Sequence, residues 1–309
     1  MSSSNSKKDN SIKLGAIDIG SNSVRLLITN VIYENGYTYY KKVSMIRIPV
    51  RLGQDVFTKG KIGKKTRAKF LEGMRAYRSL LQVHGVKAFD AVATSAMREA
   101  KNGPKLVRRI KKEFKIPIRI IDGREEARLI FESKLFDVIQ PSESQFIYID
   151  VGGGSTEVSV IVDRQIRATH SFKLGGVRVL NGLDEASEWE HLRNWLAKHT
   201  SDLNDVAAIG SGGNINRIQK MRMKPLTDAL TYDEINADLE RLQGMSRMER
   251  MTNADLNADR ADVIVHALPI YLEVMRGSGV KKLYVPKIGV SDGLVRDLYH
   301  KKYRHKLEG

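Results

Sequence analysis

Two aspartates, Asp18 and Asp150, each end an apolar run and stand just before a glycine- and serine-bearing turn. Residues 14–28 read LGAIDIGSNSVRLLI, and residues 147–161 read IYIDVGGGSTEVSVI. Gly20 and Gly152-Gly153-Gly154 let the backbone come close to a ligand. Consecutive turn N–H groups form a concave nest that suits a phosphate oxygen. Ser and Asn side chains beside them add donors. Three further segments could take part in phosphate chemistry. Asp122-Gly123-Arg124-Glu125-Glu126 reads as a helix start, where carboxylates are favoured by the helix dipole. Side chains one residue apart on a helix diverge by about 100°, so one of the two glutamates faces a given cleft. Thr94-Ser95-Ala96-Met97-Arg98 offers an arginine fork for a phosphate. Gly210-Ser211-Gly212-Gly213-Asn214 opens a helix after a strand, again a place for an anion.

These segments need elements to hold them. Apolar residues on either side of each Asp-Gly turn predict a β-hairpin. The two aspartates lie 132 residues apart, too long for a solenoid period and right for two related domains. Apolar spacing predicts a helix over 64–83, with Phe70, Leu71, Met74, Tyr77, Leu80 and Leu81 on one face. Strands follow at 89–93 and 116–121, and helices at 103–114 and 123–137. A strand at 206–209, a helix at 258–276, a short strand at 283–285 and a last helix at 291–302 complete the pattern. Such alternation predicts an α/β protein with mixed sheets.

The chain has 309 residues, 41% of them hydrophobic, and no cysteine. That is enough for two compact domains, and it excludes disulfides, thiolate metal sites and thiol nucleophiles. The polar start MSSSNSKKDNSIK lacks the apolar centre of a signal peptide, and no apolar run is long enough to span a membrane. A cytoplasmic protein without membrane attachment is expected. The net charge is +16, of which residues 1–13 contribute +2 and residues 301–309 contribute +3. The basic body attracts polyanions in general. Residues 105–115 interleave six cations with Leu106, Val107, Ile110 and Phe114, chiefly the pattern of a solvated helix face, with a polyanion role as the alternative. Tyr37, Tyr39 and Tyr40 read as strand residues rather than a base-stacking platform, so nucleic acid is not an expected partner.

Taken together, AIDIGSNSVRLLI, VRLGQDV, ATSAMREA, IDGREEARLIF, YIDVGGGSTEVSVI, LGGVRVL, IGSGGN and GVSDGLVRDL resemble the exopolyphosphatase / guanosine pentaphosphate phosphohydrolase family, in family order from about residue 14 to residue 299. The resemblance implies two actin-like, ribonuclease H-like lobes of the sugar kinase/actin-like ATPase superfamily with a cleft between them. The expected division is residues 12–124 and 125–305, with 1–11 a mobile tail and the last helix (about 291–302) returning to the first lobe. It further implies Glu126 as the residue that orients or deprotonates the attacking water. Asp150 and Glu157 would assist that water or hold magnesium. Asn22, Ser23, Arg98, Gly153, Gly154 and Ser155 would handle phosphate. Gly212 and Gly213 match the superfamily's third turn, which contacts adenosine in ATP-using relatives.

Phosphoryl transfer needs an in-line water, neutralised oxygens and good positioning, which these residue types can supply. Magnesium is the expected cation, with potassium a further candidate. Polyphosphate is the leading expected substrate and guanosine pentaphosphate the alternative, with a non-catalytic sensor and an actin-like kinase behind them. A homodimer is a candidate assembly. Long family members carry extra C-terminal domains; this chain resembles the short, two-domain members.

Overall fold

The computed structural model describes residues 10–133, 136 and 142–307. Strands β1 (Ser11–Ile19), β2 (Val24–Glu34), β3 (Tyr37–Ile48), β4 (Ala88–Ala93) and β5 (Ile118–Ile120) form one sheet, in the order β3-β2-β1-β4-β5. Strands β6 (Gln145–Val151), β7 (Thr156–Val162), β8 (Gln165–Phe172), β9 (Val206–Ser211), β10 (Leu230–Thr231) and β11 (Lys282–Tyr284) form the other, in the order β10-β11-β9-β6-β7-β8. Read from β8 inward, the second sheet repeats the first: an antiparallel meander of three strands, then two parallel additions. This is the duplicated, actin-like α/β arrangement, with β10 added at one edge.

The helices are α1 (Leu52–Lys59), α2 (Lys64–Val83), α3 (Ser95–Glu99), α4 (Gly103–Phe114), α5 (Gly123–Phe131), α6 (Gly176–Leu180), α7 (Ala186–Thr200), α8 (Gly213–Met221), α9 (Tyr232–Gln243), α10 (Arg247–Thr252), α11 (Ala258–Ala261), α12 (Ile264–Gly277), α13 (Val290–Lys302) and α14 (Arg304–Leu307). The single helix predicted over 258–276 is instead α11 and α12. Between them the hydrogen bonds tighten to i→i+3, from Val263 to Arg260 and from His266 to Val263. Ion pairs from Arg47 to Asp259 and from Arg51 to Asp262 pin this stretch to the first sheet's side, a tertiary demand that local periodicity does not encode. Helix α5 ends at Phe131, and of the rest of the helix predicted to residue 137, residues 134, 135 and 137 lie outside the described residues. At the N-terminal end Ser11 is already in β1, and the Asn10 carbonyl accepts from the Tyr33 N–H. Structure therefore begins inside the predicted 1–11 tail; residues 1–9 lie outside the described residues.

Strand alternation sorts the core into three layers. Ile17, Ile19, Leu26 and Ile28 face α1 to α4. Ile147, Ile149, Val158 and Val160 face the outer layer of the second sheet. The opposite faces of both sheets share one central cluster, where Leu14, Ala16 and Leu27 meet Phe146 and Tyr148 through α5 and α13. Leu294, Val295 and Leu298 of α13 belong to this cluster, and α13 packs against β1, β2 and β4 of the first sheet and against α5. The predicted division at residues 124 and 125 falls inside α5, in that shared layer. Even-numbered positions of β1 and β6 face inward here. Asp18 and Asp150 continue that parity at the strand ends, which is how apolar alternation aims two carboxylates into the space between the sheets.

Helix α13 crosses α5 at Gly293, where an added Cβ would lie 1.6 Å from the Leu129 carbonyl oxygen. The obstacle is backbone, so it cannot swing away. Gly293→Ala is expected to destabilise the protein by about 2–3 kcal/mol through overpacking. Urea unfolding checks this, and an unchanged midpoint would mean the two helices separate easily.

Candidate active site

The two hairpin turns face each other across the lobes. A Cβ on Gly153 would lie 3.0 Å from Ser21 Cβ and 3.3 Å from the Asn22 nitrogen. Each turn is closed by one hydrogen bond, Gly20 N–H to Ser23 O and Gly152 N–H to Ser155 O. Two further carbonyls of each turn are bound by the segment that follows its hairpin. Gly53 and Arg51 N–H groups donate to Ser21 and Asn22; Val177 and Gly176 donate to Gly153 and Gly152. Thus VRLGQDV, which leads into α1, and LGGVRVL, which forms α6, back the two turns in the same way. Tying the carbonyls down commits these turns to presenting amide groups, the arrangement that suits an anion.

Between the turns lies a cavity of about 570 Å³. It is lined by Asn22, Ser23, Glu126, Asp150, Gly153, Ser155, Gly212 and Gly213 among the residues singled out from sequence. Gly212 has φ of 115°, a conformation that side chains strongly disfavour. Glu126 is buried and Glu125 is not: Glu125 turns outward to Arg119 at 2.6 Å. Asp122 caps α5 by accepting from the Glu125 N–H at 2.8 Å, which fixes the helix start and so the direction of Glu126.

Three residues stand differently from their predicted roles. Arg98 is exposed, lies outside the cavity lining and donates to the Ile121 carbonyl at 2.6 Å. Its charge acts on Glu126 and Glu157 instead. Gly154 packs toward the first lobe, where an added Cβ would meet Phe57 at 2.1 Å. Glu157 sits behind the cavity, fully buried. Its Oε1 accepts from Ser155 Oγ and Ser171 Oγ, both at 2.8 Å. Ser155 has one hydroxyl proton, and it is directed to Glu157; only its amide remains for a phosphate.

The twin hairpins differ in one decisive pair. Asp18 faces Arg25 across the first hairpin and accepts from its Nη1 at 3.0 Å. In the second hairpin the equivalent of Arg25 is Glu157, directly opposite Asp150. Burial and the Glu157 charge push Asp150 up to about 7. Glu126 is held well above the ordinary carboxylate range by burial, then by Glu157, Asp150 and Asp18, with Arg98 opposing. Among the described residues its Oε2 has no hydrogen-bond partner.

Sequence reasoning missed the cations. Arg25, Arg47, Arg217, Lys220, Arg260 and Lys287 all line the same cavity. Arg260 is lowered to about 10 by burial and by the charge of Arg47. A Cβ on Gly213 would lie 3.2 Å from Arg260 Nη2 and 3.6 Å from Arg25 Nη2. Arg25 was readable: a turn at 20–23 pairs residue 19 with 24 and 18 with 25. Arg47, Arg217 and Arg260 come from distant segments, and no local signal joins them.

One cavity thus gathers the buried Glu126 Oε2, two amide-presenting turns and crowded cations, an arrangement that suits an anion. Residues 31–302 match the Ppx/GppA phosphatase family. The chain belongs to that family. Among Ppx/GppA relatives, the chain is similar to exopolyphosphatase 2 of Mycobacterium tuberculosis, 27% identical over 315 residues that cover 93% of this chain and 98% of that one. It is 26% identical over 293 residues to the bifunctional 3-dehydroquinate synthase/phosphatase of Fusobacterium nucleatum, covering 87% of this chain but 44% of the longer relative. A crystal structure of an exopolyphosphatase from Cytophaga hutchinsonii superposes with a TM-score of 0.81 at 25% identity, over 94% of this chain and 98% of that one. No helix among the described residues is long and apolar enough to cross a membrane.

Proposed function

We propose that this Ppx/GppA phosphatase hydrolyses the terminal phosphoanhydride of inorganic polyphosphate and releases orthophosphate. The observation that carries this reading is the gathering, in one cavity, of the Glu126 and Asp150 carboxylates, the two facing turns and a group of cations. The amides at Ser21, Asn22, Ser23, Gly153 and Ser155 and the Ser23 hydroxyl hold the terminal phosphoryl group. Glu126, with a free Oε2 and a raised proton affinity, orients and deprotonates an in-line water. Arg25, Arg47 and Arg260 neutralise the phosphates that follow, and Gly212-Gly213 lets the chain pass close to the backbone. Arg98 and Glu157 act through Glu126 and Ser155 rather than on phosphate.

The donor set suits magnesium. Asp150 opens onto the cavity and Glu157 lies behind it, both hard oxygen donors beside a phosphate site. Among the described residues no three His, Cys, Asp or Glu side chains form a metal cage. Magnesium does not require one, since it keeps waters and phosphate oxygens as ligands. When bound, the ion supplies charge neutralisation on the phosphoryl oxygens.

Guanosine pentaphosphate is the second reading. It is favoured by Asn214 and Asn216, which line the cavity beside the Gly212-Gly213 turn and could meet a base. The two are separated by kcat/KM for orthophosphate release at matched terminal-phosphate concentration. A higher value for polyphosphate is expected. A higher value for the nucleotide would replace the first reading with the second.

A further inference from the structure

Helix α4 carries a cationic stripe that the site between the lobes does not use. Its spacing is Arg108, Lys111, Lys112 and Lys115, that is i, i+3, i+4 and i+7, which places all four on one face. All four are exposed, and with Pro117 they line an open hollow of about 520 Å³. Lys115 joins them because it caps the helix in the left-handed conformation, with φ of 56°. The helix's own carboxylate, Glu113, is paired with Arg109 at 2.6 Å, away from this stripe. Among the described residues no ion pair involves Arg108, Lys111, Lys112 or Lys115. Like charges at i, i+3 and i+4 repel, so this face works against its own helix. Cations in a last turn do offset the helix dipole. That accounts for Lys111 and Lys112, but not for Arg108 a turn earlier or for the hollow.

We propose that this stripe is a second polyanion-binding site, an anchor for long-chain polyphosphate separate from the cavity between the lobes. Its ligand class rests on the polyphosphate reading above. The stripe is a row of point charges with no aromatic side chain among its lining residues, so it reads charge density and not bases. A short chain seated between the lobes gains nothing from it; a long chain gains a second hold.

The test is direct binding of end-labelled long-chain polyphosphate to the full chain, with a chelator present to stop hydrolysis, over a series of salt concentrations. The quadruple variant Arg108→Gln, Lys111→Gln, Lys112→Gln, Lys115→Gln is compared with a control of equal charge change, Lys64→Gln, Lys65→Gln, Lys173→Gln, Lys198→Gln. Loss of four phosphate contacts should weaken binding at least about tenfold near physiological salt and lower the slope of log affinity against log salt by about 3. The control should stay close to wild type, and tripolyphosphate affinity should be unchanged in both. Equal losses in the two variants would mean a general charge effect and would overturn the proposal, as would no loss in the stripe variant. Tighter stripe-dependent binding of a single-stranded RNA of matched charge would assign the site to nucleic acid instead. Hydrolysis of tripolyphosphate is read separately: its absence would defeat the polyphosphatase reading, whereas the binding comparison decides the stripe.

Discussion

Glu126→Gln is expected to cut orthophosphate release by about 10³-fold while raising the melting temperature of the metal-free protein. The substitution keeps size and shape and removes a charge from a cluster that includes Asp18, Asp150 and Glu157. Loss of rate follows because an amide cannot accept the water's proton. The gain in stability follows from linkage. Burial and like charges raise the folded-state proton affinity of Glu126 above its unfolded value near 4.5. Such a group favours folding below the unfolded pKa, and that contribution is lost as pH rises through the folded value. Glutamine does not ionise, so the variant's advantage grows from pH 5 to pH 8. Phosphate-release kinetics and thermal unfolding at those two pH values check both halves. Near-normal turnover would remove Glu126 from the chemistry, and a lower melting temperature would mean that Arg98 stabilises its carboxylate more than burial opposes it.

Asp150→Asn carries the second large effect. Asp150 faces Glu157 with no cation opposite, and its pKa is pushed up to about 7 from 3.8. In chelator, wild-type stability is expected to fall as pH rises from about 4 through 7, and the variant's curve to be flatter over that window. Magnesium favours the charged carboxylate, so at pH 8 it should raise the wild-type melting temperature. The same addition should leave Asp150→Asn nearly unmoved, and phosphate release by the variant should drop by about 10²-fold or more. Equal stabilisation of both proteins by magnesium would show that the ion binds without Asp150.

The hairpins that hold this chemistry were legible because glycine and serine interrupt two β-rich runs of matching pattern. Parity along β1 and β6 then aims Asp18 and Asp150. Helix spacing alone does not choose between Glu125 and Glu126, and only the family resemblance points to Glu126; in the structure the Asp122 cap sets the phase of α5, and Arg119 draws Glu125 outward. The apolar stretch around residues 258–276 read as one helix because its break answers to Arg47 and Arg51, more than 200 positions away. Arg98 lay beside a phosphate-type motif in sequence, but the backbone carbonyl of Ile121 holds it outside the cavity. VRLGQDV and LGGVRVL had no assigned purpose until each was found bonding the carbonyls of its own turn. What stayed hidden was the cationic half of the cavity, assembled from segments that only the paired sheets bring together.

The central claim is removal of one terminal phosphate at a time, and it is tested most directly by a product time course. Polyphosphate of defined length is incubated with the protein and magnesium, and the products are resolved by chain length. Orthophosphate as the only small product, with chains shortening from the end, is the predicted result. Internal cleavage into mid-length chains, or no release from polyphosphate at all, would contradict the account.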